Sequence, residues 1–456
     1  MIQSAPLFSP MTRIILGISL GFGLLAEADD QAATVDTVIA VRRGESLLGI
    51  AGHFLPRSGV YTPSALADCI RAINGLEGTR LIAGQELRIP LAVPDSDSSP
   101  PGPGLDAFDD VRGLYATASV AGSQRIISLA EAVLAAGGNT VVFDIKDRPG
   151  DISYITRIPM AQSVQVDSLA PIRNPHNLVR LLHQRGINVV ARISCFYDEL
   201  MSRAHPELTP RDLQGGAWGR GWLDPSLPRV QNYLLALVSE VAGLSVDEIQ
   251  LDYVRFPTVD DSEVAFAFDP DSTARHEVIT AFVERVAERL RGSGTLLSAD
   301  IFGVAAWGRP QDLARIGQSL PDLLPLLDVV SPMLYPSHFY GNFEGVENPV
   351  EYPYYFVHEG IRRLKPLAAR YGVAVRPWVQ AFPYRVPVFD ETYVTEQLQA
   401  ATDAGAHGWL LWHPASSYQV GLEAMLRWQR RTNEQVLDRE PPLLNAYTSP
   451  PVGSDM

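Results

Sequence analysis

The sequence predicts an α/β protein in which a (β/α)8 TIM barrel follows a small N-terminal α+β domain. Eight apolar, β-branched segments alternate with helix-like stretches over about 310 residues, as in a barrel. Polar side chains recur where these segments end, and barrel enzymes place their active sites there. A doubly wound sheet would open with a G-x-G-x-x-G turn, and Gly113-Leu114-Tyr115 after the first strand lacks that spacing.

The composition is that of a large acidic globular protein. The chain has 456 residues, 46% hydrophobic and 20% charged, which excludes a mostly disordered chain. Lys and Arg total 37 against 52 Asp and Glu, so the net charge is −15. Because phosphate binding needs a positive surface, we expect no nucleic-acid partner. The two cysteines exclude a disulfide-built or multi-zinc protein, and Cys69 and Cys195 fall in different predicted domains.

Residues 1–28 have the features of an export signal. The apolar run Ile14–Ala26 has 13 residues, whereas a helix needs about 20 to span a bilayer. Ala26-Glu27-Ala28 supplies a small-x-small cleavage pattern, although an uncleaved anchor or a buried helix is the alternative. No later stretch of sequence is apolar enough to cross a membrane. We therefore predict a mature chain that has no transmembrane segment and is secreted, periplasmic or held in the cell envelope.

Composition divides the rest of the chain into four parts. A compact domain is predicted over residues 38–90, followed by a Pro/Ser/Gly/Asp-rich spacer over residues 91–110. Residues 111–430 form the predicted barrel. Residues 431–456, rich in Pro, Ser and charge, are predicted to be a disordered tail.

The small domain reads as strand, helix, helix, strand, with Ser46 placed to cap the first helix. This order resembles a LysM domain. The residues that carry the resemblance are Val41-Arg42-Arg43-Gly44-Glu45-Ser46-Leu47, Ile50-Ala51, Asn74 and Gly84-Gln85-Glu86-Leu87-Arg88-Ile89-Pro90. LysM domains bind glycans containing N-acetylglucosamine, so the resemblance implies a glycan-binding module. A spacer or protein-docking module that binds no sugar is the alternative.

The eight predicted barrel strands share a buried, β-branched character, and several of the intervening helices end at glycine. The strands are Arg112–Ser119, Asn139–Lys146, Ile187–Cys195, Asp247–Phe256, Thr295–Gly303, Leu326–Tyr335, Gly372–Ala381 and Ala406–His413.

Asp252 and Asp300 are the candidate catalytic residues, since each is a single carboxylate inside an apolar strand, on strands four and five. Two carboxyl groups across a barrel mouth are the minimum equipment for cleaving a glycosidic bond. One must keep its proton and the other must stay ionised near a cation, for which Arg192 and Arg255 are available. A structural Asp–Arg network at the strand ends is the alternative.

A wider set of polar and aromatic residues at the strand ends is predicted to bind substrate. Aromatic faces offer platforms to the C–H faces of sugars, although core packing is expected for at least one tryptophan. Lys146 lies between two of the carboxylates and could simply neutralise them. The set is Asp144, Lys146, Asp147, Arg192, Asp224, Tyr253, Arg255, Tyr335, Trp378, Gln380, Trp409 and Trp412.

Other chemistries find less support in the sequence. It contains no G-x-S-x-G elbow and no H-E-x-x-H or paired C-x-x-C pattern, so neither a metal nor a cofactor is predicted. The scattered residues His183, His338 and His413 are interpreted as structural.

From about Arg112 to Trp428 the chain resembles the glycoside-hydrolase barrel domain of a bacterial family grouped with α-amylase-like barrels. In those barrels strand four bears the nucleophile and strand five the acid, so the resemblance implies Asp252 as nucleophile and Asp300 as acid/base. Those barrels carry Glu on strand five, where this chain has Asp. The motifs that carry the resemblance are Arg112-Gly113-Leu114-Tyr115, Phe143-Asp144-Ile145-Lys146-Asp147, Ala191-Arg192-Ile193, Trp222-Leu223-Asp224-Pro225, Asp247-Glu248-Ile249-Gln250-Leu251-Asp252-Tyr253-Val254-Arg255-Phe256-Pro257, Ser298-Ala299-Asp300-Ile301-Phe302-Gly303 and Ser331-Pro332-Met333-Leu334-Tyr335-Pro336.

Together these observations predict an exported glycosidase whose partner is a polysaccharide, either peptidoglycan, a chitin-like polymer or an α-glucan. The LysM-like module would hold the polymer while the barrel cleaves it. A non-catalytic envelope protein that binds glycan is an alternative of a different class. A transglycosylase with the same site is a third possibility.

Overall fold

Five stretches of the chain are described by the computed structural model, namely residues 34–58, 60–92, 110–165, 170–259 and 263–439. The predicted signal peptide, residues 93–109 of the predicted spacer and residues 440–456 of the predicted tail lie outside the described residues. The strands are β1 (Thr34–Ala40), β2 (Glu86–Ala92), β3 (Val111–Ala116), β4 (Thr140–Lys146), β5 (Asn188–Ser194), β6 (Glu248–Asp252), β7 (Leu296–Phe302), β8 (Val329–Met333), β9 (Ala374–Val375), β10 (Trp378–Gln380) and β11 (Gly408–Trp412). The α-helices are α1 (Leu47–Phe54), α2 (Pro63–Ile73), α3 (Ala118–Ala121), α4 (Arg125–Ala135), α5 (Pro159–Gln162), α6 (Pro175–His183), α7 (Glu199–Ala204), α8 (Pro228–Ala242), α9 (Arg275–Leu290), α10 (Pro310–Ile316), α11 (Leu320–Leu323), α12 (Pro353–Ala369), α13 (Glu391–Asp403) and α14 (Gln419–Arg439).

Strands β3 to β11 form one parallel sheet that closes on itself, so the predicted (β/α)8 barrel is confirmed. β11 pairs with β3, and β10 pairs with both β8 and β11. β9 and β10 are two parts of the seventh barrel strand, interrupted at Arg376 and Pro377, where proline has no N–H to give to a ladder. Gly408 permits the closure, because its φ is 94° and a Cβ there would lie 1.8 Å from the Val111 carbonyl oxygen.

Several predicted boundaries differ from the structure. The first barrel strand ends at Ala116, and Ala118 and Ser119, which were predicted as strand, begin α3. The fourth barrel strand ends at Asp252 rather than at Phe256, because Tyr253 has a φ of 49° and turns the chain out of the sheet. Residues 431–439, predicted to begin a disordered tail, instead continue α14, whose residues Met425 and Trp428 are buried against the barrel.

The inward-facing side chains of the barrel change character along its axis. Nearer the amino ends of the strands they are mostly apolar, with the buried pair Glu248 and Arg376 among them at 2.6 Å between Oε2 and Nη1. The apolar members are Val111, Val142, Val190, Leu296 and Leu410. Toward the carboxyl ends the inward-facing side chains are charged and aromatic. Strand alternation makes these side chains face inward, and their positions late in the strands place them at the carboxyl end of the barrel.

The small domain has the predicted order, with β1 and β2 antiparallel and α1 and α2 between them. Ser46 caps α1 as predicted, since its Oγ accepts a hydrogen bond from Gly49 N at 3.1 Å. Asn74 joins α2 to β2, because its side-chain amide donates to the Arg88 carbonyl and accepts from the Arg88 N–H, each at 2.8 Å.

The segment between α1 and α2 of the small domain packs on the barrel through residues 55–58 and 60–62. Tyr61 is only 5% exposed and donates its hydroxyl proton to the carbonyl oxygen of Ala121 in α3. Asn177 of α6 donates to the Ser58 carbonyl at 2.7 Å and to the Val60 carbonyl at 2.9 Å. The small domain therefore contacts the barrel beside α3. Among the helices in the described stretches, none is long and apolar enough to cross a membrane.

Candidate active site

Arg192 lies at the centre of the barrel mouth, between two carboxylates that come from the strands on either side of its own. Its Nε donates to Asp252 Oδ2 at 3.1 Å, Nη2 donates to the same oxygen, and Nη1 donates to Asp144 Oδ1. The strand register explains this arrangement, because Arg192 of β5 pairs with Asp144 of β4 and with the residue two before Asp252 in β6. All three side chains are buried, so the attraction is little screened by solvent.

The carboxylate of Asp252 also accepts a hydrogen bond from the backbone of the next residue. Tyr253 N–H donates to Asp252 Oδ1 at 2.6 Å. Tyr253 adopts the left-handed conformation that an aromatic residue rarely takes, and such strain clusters at functional sites. With Arg192 on Oδ2 and Tyr253 on Oδ1, both oxygens accept hydrogen bonds of the kind that stabilise a carboxylate.

Two aromatic rings hold the guanidinium of Arg192 in place. Tyr115 of β3 and Trp412 of β11 stack with their centroids 4.1 Å apart. The Arg192 guanidinium carbon lies 5.0 Å from the Trp412 centroid, within cation–π range. Tyr115 donates its hydroxyl proton to Asp144, so this carboxylate connects the aromatic pair to the arginine.

Asp300 of β7 has surroundings of a different kind. Its carboxyl is 2% exposed, and Oδ1 accepts a hydrogen bond from the indole Nε1–H of Trp378 at 2.8 Å. Burial and the negative charge of Asp252 raise the pKa of Asp300 well above its ordinary value, against the opposing effects of Arg192 and the Trp378 hydrogen bond. This carboxyl group therefore favours its protonated form.

A cavity of about 680 Å³, named the catalytic arm, contains both aspartates. Its wall combines Arg192, Tyr253 and Trp412 with aromatic residues on the Asp300 side. Those aromatic residues are Phe302, Tyr335, Phe339, Tyr340, Phe343 and Trp378. A cavity of this size lies in the range of about 300–1,000 Å³ that holds small organic ligands.

A second cavity of about 560 Å³, named the distal arm, opens on the other side of Arg192. It shares Arg192, Tyr253 and Trp412 with the catalytic arm, so the two cavities meet at these side chains. Asp144 and Asp147 lie in its wall. Burial, with the nearby charges of Asp144 and Asp151, raises the pKa of Asp147 to about 6.

The structure brings nine predicted site residues to these two cavities. The catalytic pair, Tyr335 and Trp378 lie in the catalytic arm, Asp144 and Asp147 in the distal arm, and the three shared residues in both. Arg255 lies behind the wall, with its guanidinium carbon 4.2 Å from the Phe302 centroid and 4.7 Å from that of Trp222. Burial lowers the pKa of Arg255 to about 10.

Two predicted substrate contacts are replaced by structural roles near the mouth. Lys146 is fully buried, with Nζ 3.0 Å from Asp198 Oδ2 and 2.8 Å from the Ser194 carbonyl oxygen, so it neutralises Asp198. Asp224 accepts from Ser226 N at 2.9 Å and from Ala267 N at 2.7 Å, so its carboxylate joins two loops. Neither of these two side chains lines the arms.

Gln380 and Trp409 are also placed away from the arms. The amide of Gln380 accepts from Ser337 N at 3.1 Å and donates to the Phe382 carbonyl at 3.0 Å, which ties together two loops. Trp409 faces outward and packs edge-on against Trp428 of α14, with centroids 5.7 Å apart. The prediction that Trp409 stacks on substrate at the mouth is therefore wrong, because strand alternation directs it into the outer core.

Sequence reasoning missed several residues of the site. Tyr115 is the last but one residue of the first barrel strand, so the strand-end rule that found Asp144 could have found it as well. His338 and Tyr340 come from the loop after β8 and carry no strand pattern, so only the fold brings them to the catalytic arm. Within the described stretches, no group of three or more His, Cys, Asp or Glu side chains is placed to hold a metal ion.

Residues 113–418 match the model of the DUF4015 family, described as "Putative glycosyl hydrolase domain", and the chain belongs to this family. No curated protein matches the chain.

The solved structures that are similar to this chain include the following three. The PgaB (BpsB) glycoside hydrolase domain from Bordetella bronchiseptica is 12% identical over 70% of this chain and 98% of its own, with a TM-score of 0.52, which shows a shared fold. A hypothetical protein from Ruminiclostridium thermocellum ATCC 27405 is 30% identical over 41% of this chain and 97% of its own, with a TM-score of 0.37. The spore cortex-lytic enzyme SleL from Bacillus cereus is 13% identical over 86% of this chain and 85% of its own, with a TM-score of 0.42.

Proposed function

We propose that this protein is an exported glycosidase that cleaves a polysaccharide with Asp252 and Asp300 as its reacting carboxyl groups. The observation that carries the proposal is that one cavity contains both groups in opposite surroundings. Arg192 binds Asp252 as a carboxylate, whereas burial favours the protonated form of Asp300. Cleavage of a glycosidic bond requires one ionised and one protonated carboxyl group. Membership of a glycosyl hydrolase family supports the same conclusion.

Asp300 acts as the general acid in this proposal. The Trp378 indole occupies Oδ1, so the proton resides on Oδ2. As the bond between the anomeric carbon and the glycosidic oxygen breaks, this proton passes to the departing oxygen. The carboxylate left on Asp300 can then accept a proton from the incoming water.

Asp252 stabilises or attacks the developing positive charge at the anomeric carbon. In a retaining course it forms a bond to that carbon, which water then cleaves with Asp300 as base; in an inverting course it activates water directly. Arg192 and the Tyr253 N–H fix the carboxylate for either course. The configuration of the first product distinguishes the two.

The remaining parts of the chain support a polymeric substrate outside the cytoplasm. Trp378, Trp412 and Tyr335 offer aromatic surface to sugar rings within the catalytic arm. The LysM-like order of the small domain and the signal pattern of residues 1–28 support glycan binding and export. The substrates to try first are therefore peptidoglycan, a chitin derivative and an α-glucan.

The test is the release of reducing ends from peptidoglycan, glycol chitin and amylose by the purified protein. We expect release from at least one polymer and a loss of at least about 10⁴-fold in an Asp252→Asn, Asp300→Asn double variant. Asp271→Asn, in an exposed loop away from both arms, is the matched control and should keep full activity. Absence of release from all three polymers, or undiminished release by the double variant, would contradict the proposal.

A further inference from the structure

The distal arm lacks the catalytic pair, yet it opens directly onto it. Asp252 and Asp300 line only the catalytic arm, while Arg192, Tyr253 and Trp412 form the boundary between the arms. A linear molecule that fills both cavities must therefore pass over Arg192 and beside Asp252. The distal volume of about 560 Å³ lies within the range that accommodates a small organic ligand, about 300–1,000 Å³.

The wall of the distal arm carries hydrogen-bonding groups that have no partner within the described stretches of the chain. Ser153 is fully buried, and its Oγ has no hydrogen-bond partner among the described residues. The same holds for Oε1 of Gln165, whose Nε2 is used by the Ile152 and Tyr154 carbonyls. A buried polar atom without a partner is unfavourable, so these atoms indicate that something else supplies their hydrogen bonds.

The chemistry of the distal arm favours a ligand rich in hydrogen-bond donors. The unsatisfied Gln165 Oε1 accepts only, and the Asp147 and Asp151 carboxylates add further acceptors to the wall. Trp412 and Tyr253 supply aromatic surface at the inner end. A sugar ring suits both the acceptors and the aromatic surface. Its hydroxyl groups donate hydrogen bonds at the rim, and its C–H groups lie on the faces.

The outer wall of the distal arm is joined to the small domain. Thr117, Ala118 and Ser119 line the arm, and Ala121 at the other end of α3 accepts the hydrogen bond from Tyr61. The small domain therefore contacts the barrel on the same side as this arm.

We propose that the distal arm is a second substrate-binding site, which holds sugar residues of the same polysaccharide beyond the scissile bond, so that the enzyme cleaves within chains. This inference rests on the proposed function and specifies how the polysaccharide lies across the two arms. The kinetic signature is a dependence on chain length, because only longer oligosaccharides reach both arms.

The experiment measures kcat/KM for oligosaccharides of increasing length, prepared from the polymer that the enzyme cleaves. We expect kcat/KM to rise at least 10-fold as the chain grows from two to six sugar residues, at about 1.4 kcal/mol per factor of ten. Internal fragments, rather than single sugars, should appear first.

Two variants locate this gain in the distal arm. Ser119→Trp places a bulky side chain in the arm at an exposed position, and Asp151→Asn removes a charge without changing volume. Both should reduce the gain with length, by at least 10-fold for Ser119→Trp and about 3-fold for Asp151→Asn, which is about 0.6 kcal/mol. The control is Ala135→Trp on the exposed face of α4, which should keep the wild-type length dependence.

Cleavage that is independent of chain length, or a length dependence unchanged in Ser119→Trp and Asp151→Asn, would overturn the inference and leave the proposed glycosidase intact. No cleavage of any polymer by the wild-type protein would overturn both. Melting temperatures of the variants show whether a loss arises from unfolding.

Discussion

The two sides of the barrel mouth each hold an aspartate, but they surround it with opposite kinds of neighbours. On the Asp252 side, Arg192 donates twice and the Tyr253 N–H donates once, so charged and backbone donors surround the carboxyl group. On the Asp300 side, one neutral indole donates, and the remaining neighbours are largely aromatic. Burial and the charge of Asp252 then raise the pKa of Asp300.

The two aspartates differ in role because their surroundings differ, since their side chains are the same. Two aspartates on neighbouring strands could both be ionised or both be structural. Here Arg192 pairs with Asp252, and the negative charge of Asp252 makes the ionisation of Asp300 unfavourable. Pairs of titratable groups with diverging environments are the usual mark of an acid and its partner.

The largest effect is expected from Asp252→Asn, which removes the ionised member. An amide cannot attack the anomeric carbon or stabilise its positive charge, so kcat should fall by about 10⁴-fold. The measurement is single-turnover cleavage, with added azide as an external nucleophile to rescue a retaining reaction. Retention of more than a tenth of the activity would contradict the role of Asp252, and Asp271→Asn is the control.

Asp300→Asn should have an effect that depends on the leaving group. Loss of the general acid costs about 10²–10⁴-fold when the departing oxygen must be protonated, and much less for an aryl glycoside with an acidic phenol. Because the pKa of Asp300 is raised, wild-type activity should fall as pH rises through that value, and this alkaline limb should be absent from the variant. Equal losses for both kinds of substrate would contradict the acid role.

Arg192→Lys tests the cation that distinguishes the two sides. Lysine keeps the charge but cannot reproduce the donors that reach Asp252 and Asp144 together. We expect kcat/KM to fall by about 10²-fold, as when a fixed donor is removed from an active site. Arg291→Lys, at an exposed position after α9, provides the control. Full activity in Arg192→Lys would mean that the charge alone suffices.

The smallest effect concerns Asp147 in the distal arm. Its pKa is raised from 3.8 to about 6, mainly by burial, so the folded chain holds this proton more tightly than the unfolded chain does. The stability linked to this proton is complete below about pH 4 and is lost as pH rises through about 6. Asn cannot titrate, so the melting temperature of Asp147→Asn relative to wild type should increase between pH 4 and pH 7. The same difference at both pH values would show that Asp147 is not perturbed.

The apolar strand pattern was sufficient to predict the barrel, because buried parallel strands are apolar on both faces and repeat regularly. It also placed Asp252, Asp300 and Arg192 at the strand ends, where the structure brings them together. Alternation could have separated the two tryptophans of β11, since Trp409 and Trp412 are three residues apart and so face opposite sides. Both were predicted to bind substrate because both are tryptophans, and their opposite orientations were not considered.

Other features depend on partners distant in sequence. Lys146 pairs with Asp198, which no local pattern connects to it. The early end of β6 follows from the left-handed conformation of Tyr253, which tyrosine rarely adopts and no propensity predicts. Likewise, Tyr61 packs on α3 only because the fold places the small domain there. The roles of the individual site residues in binding and catalysis stay predictions until they are tested.

The ionisation states of the two aspartates at neutral pH form the central claim, and infrared difference spectroscopy measures them directly. Subtracting the spectrum of Asp300→Asn from that of the wild type should leave the carbonyl band of a protonated carboxyl group. The same subtraction with Asp252→Asn should leave the bands of an ionised carboxylate. Ionised-carboxylate bands in both difference spectra would contradict the account, because no proton would then be held for the departing oxygen.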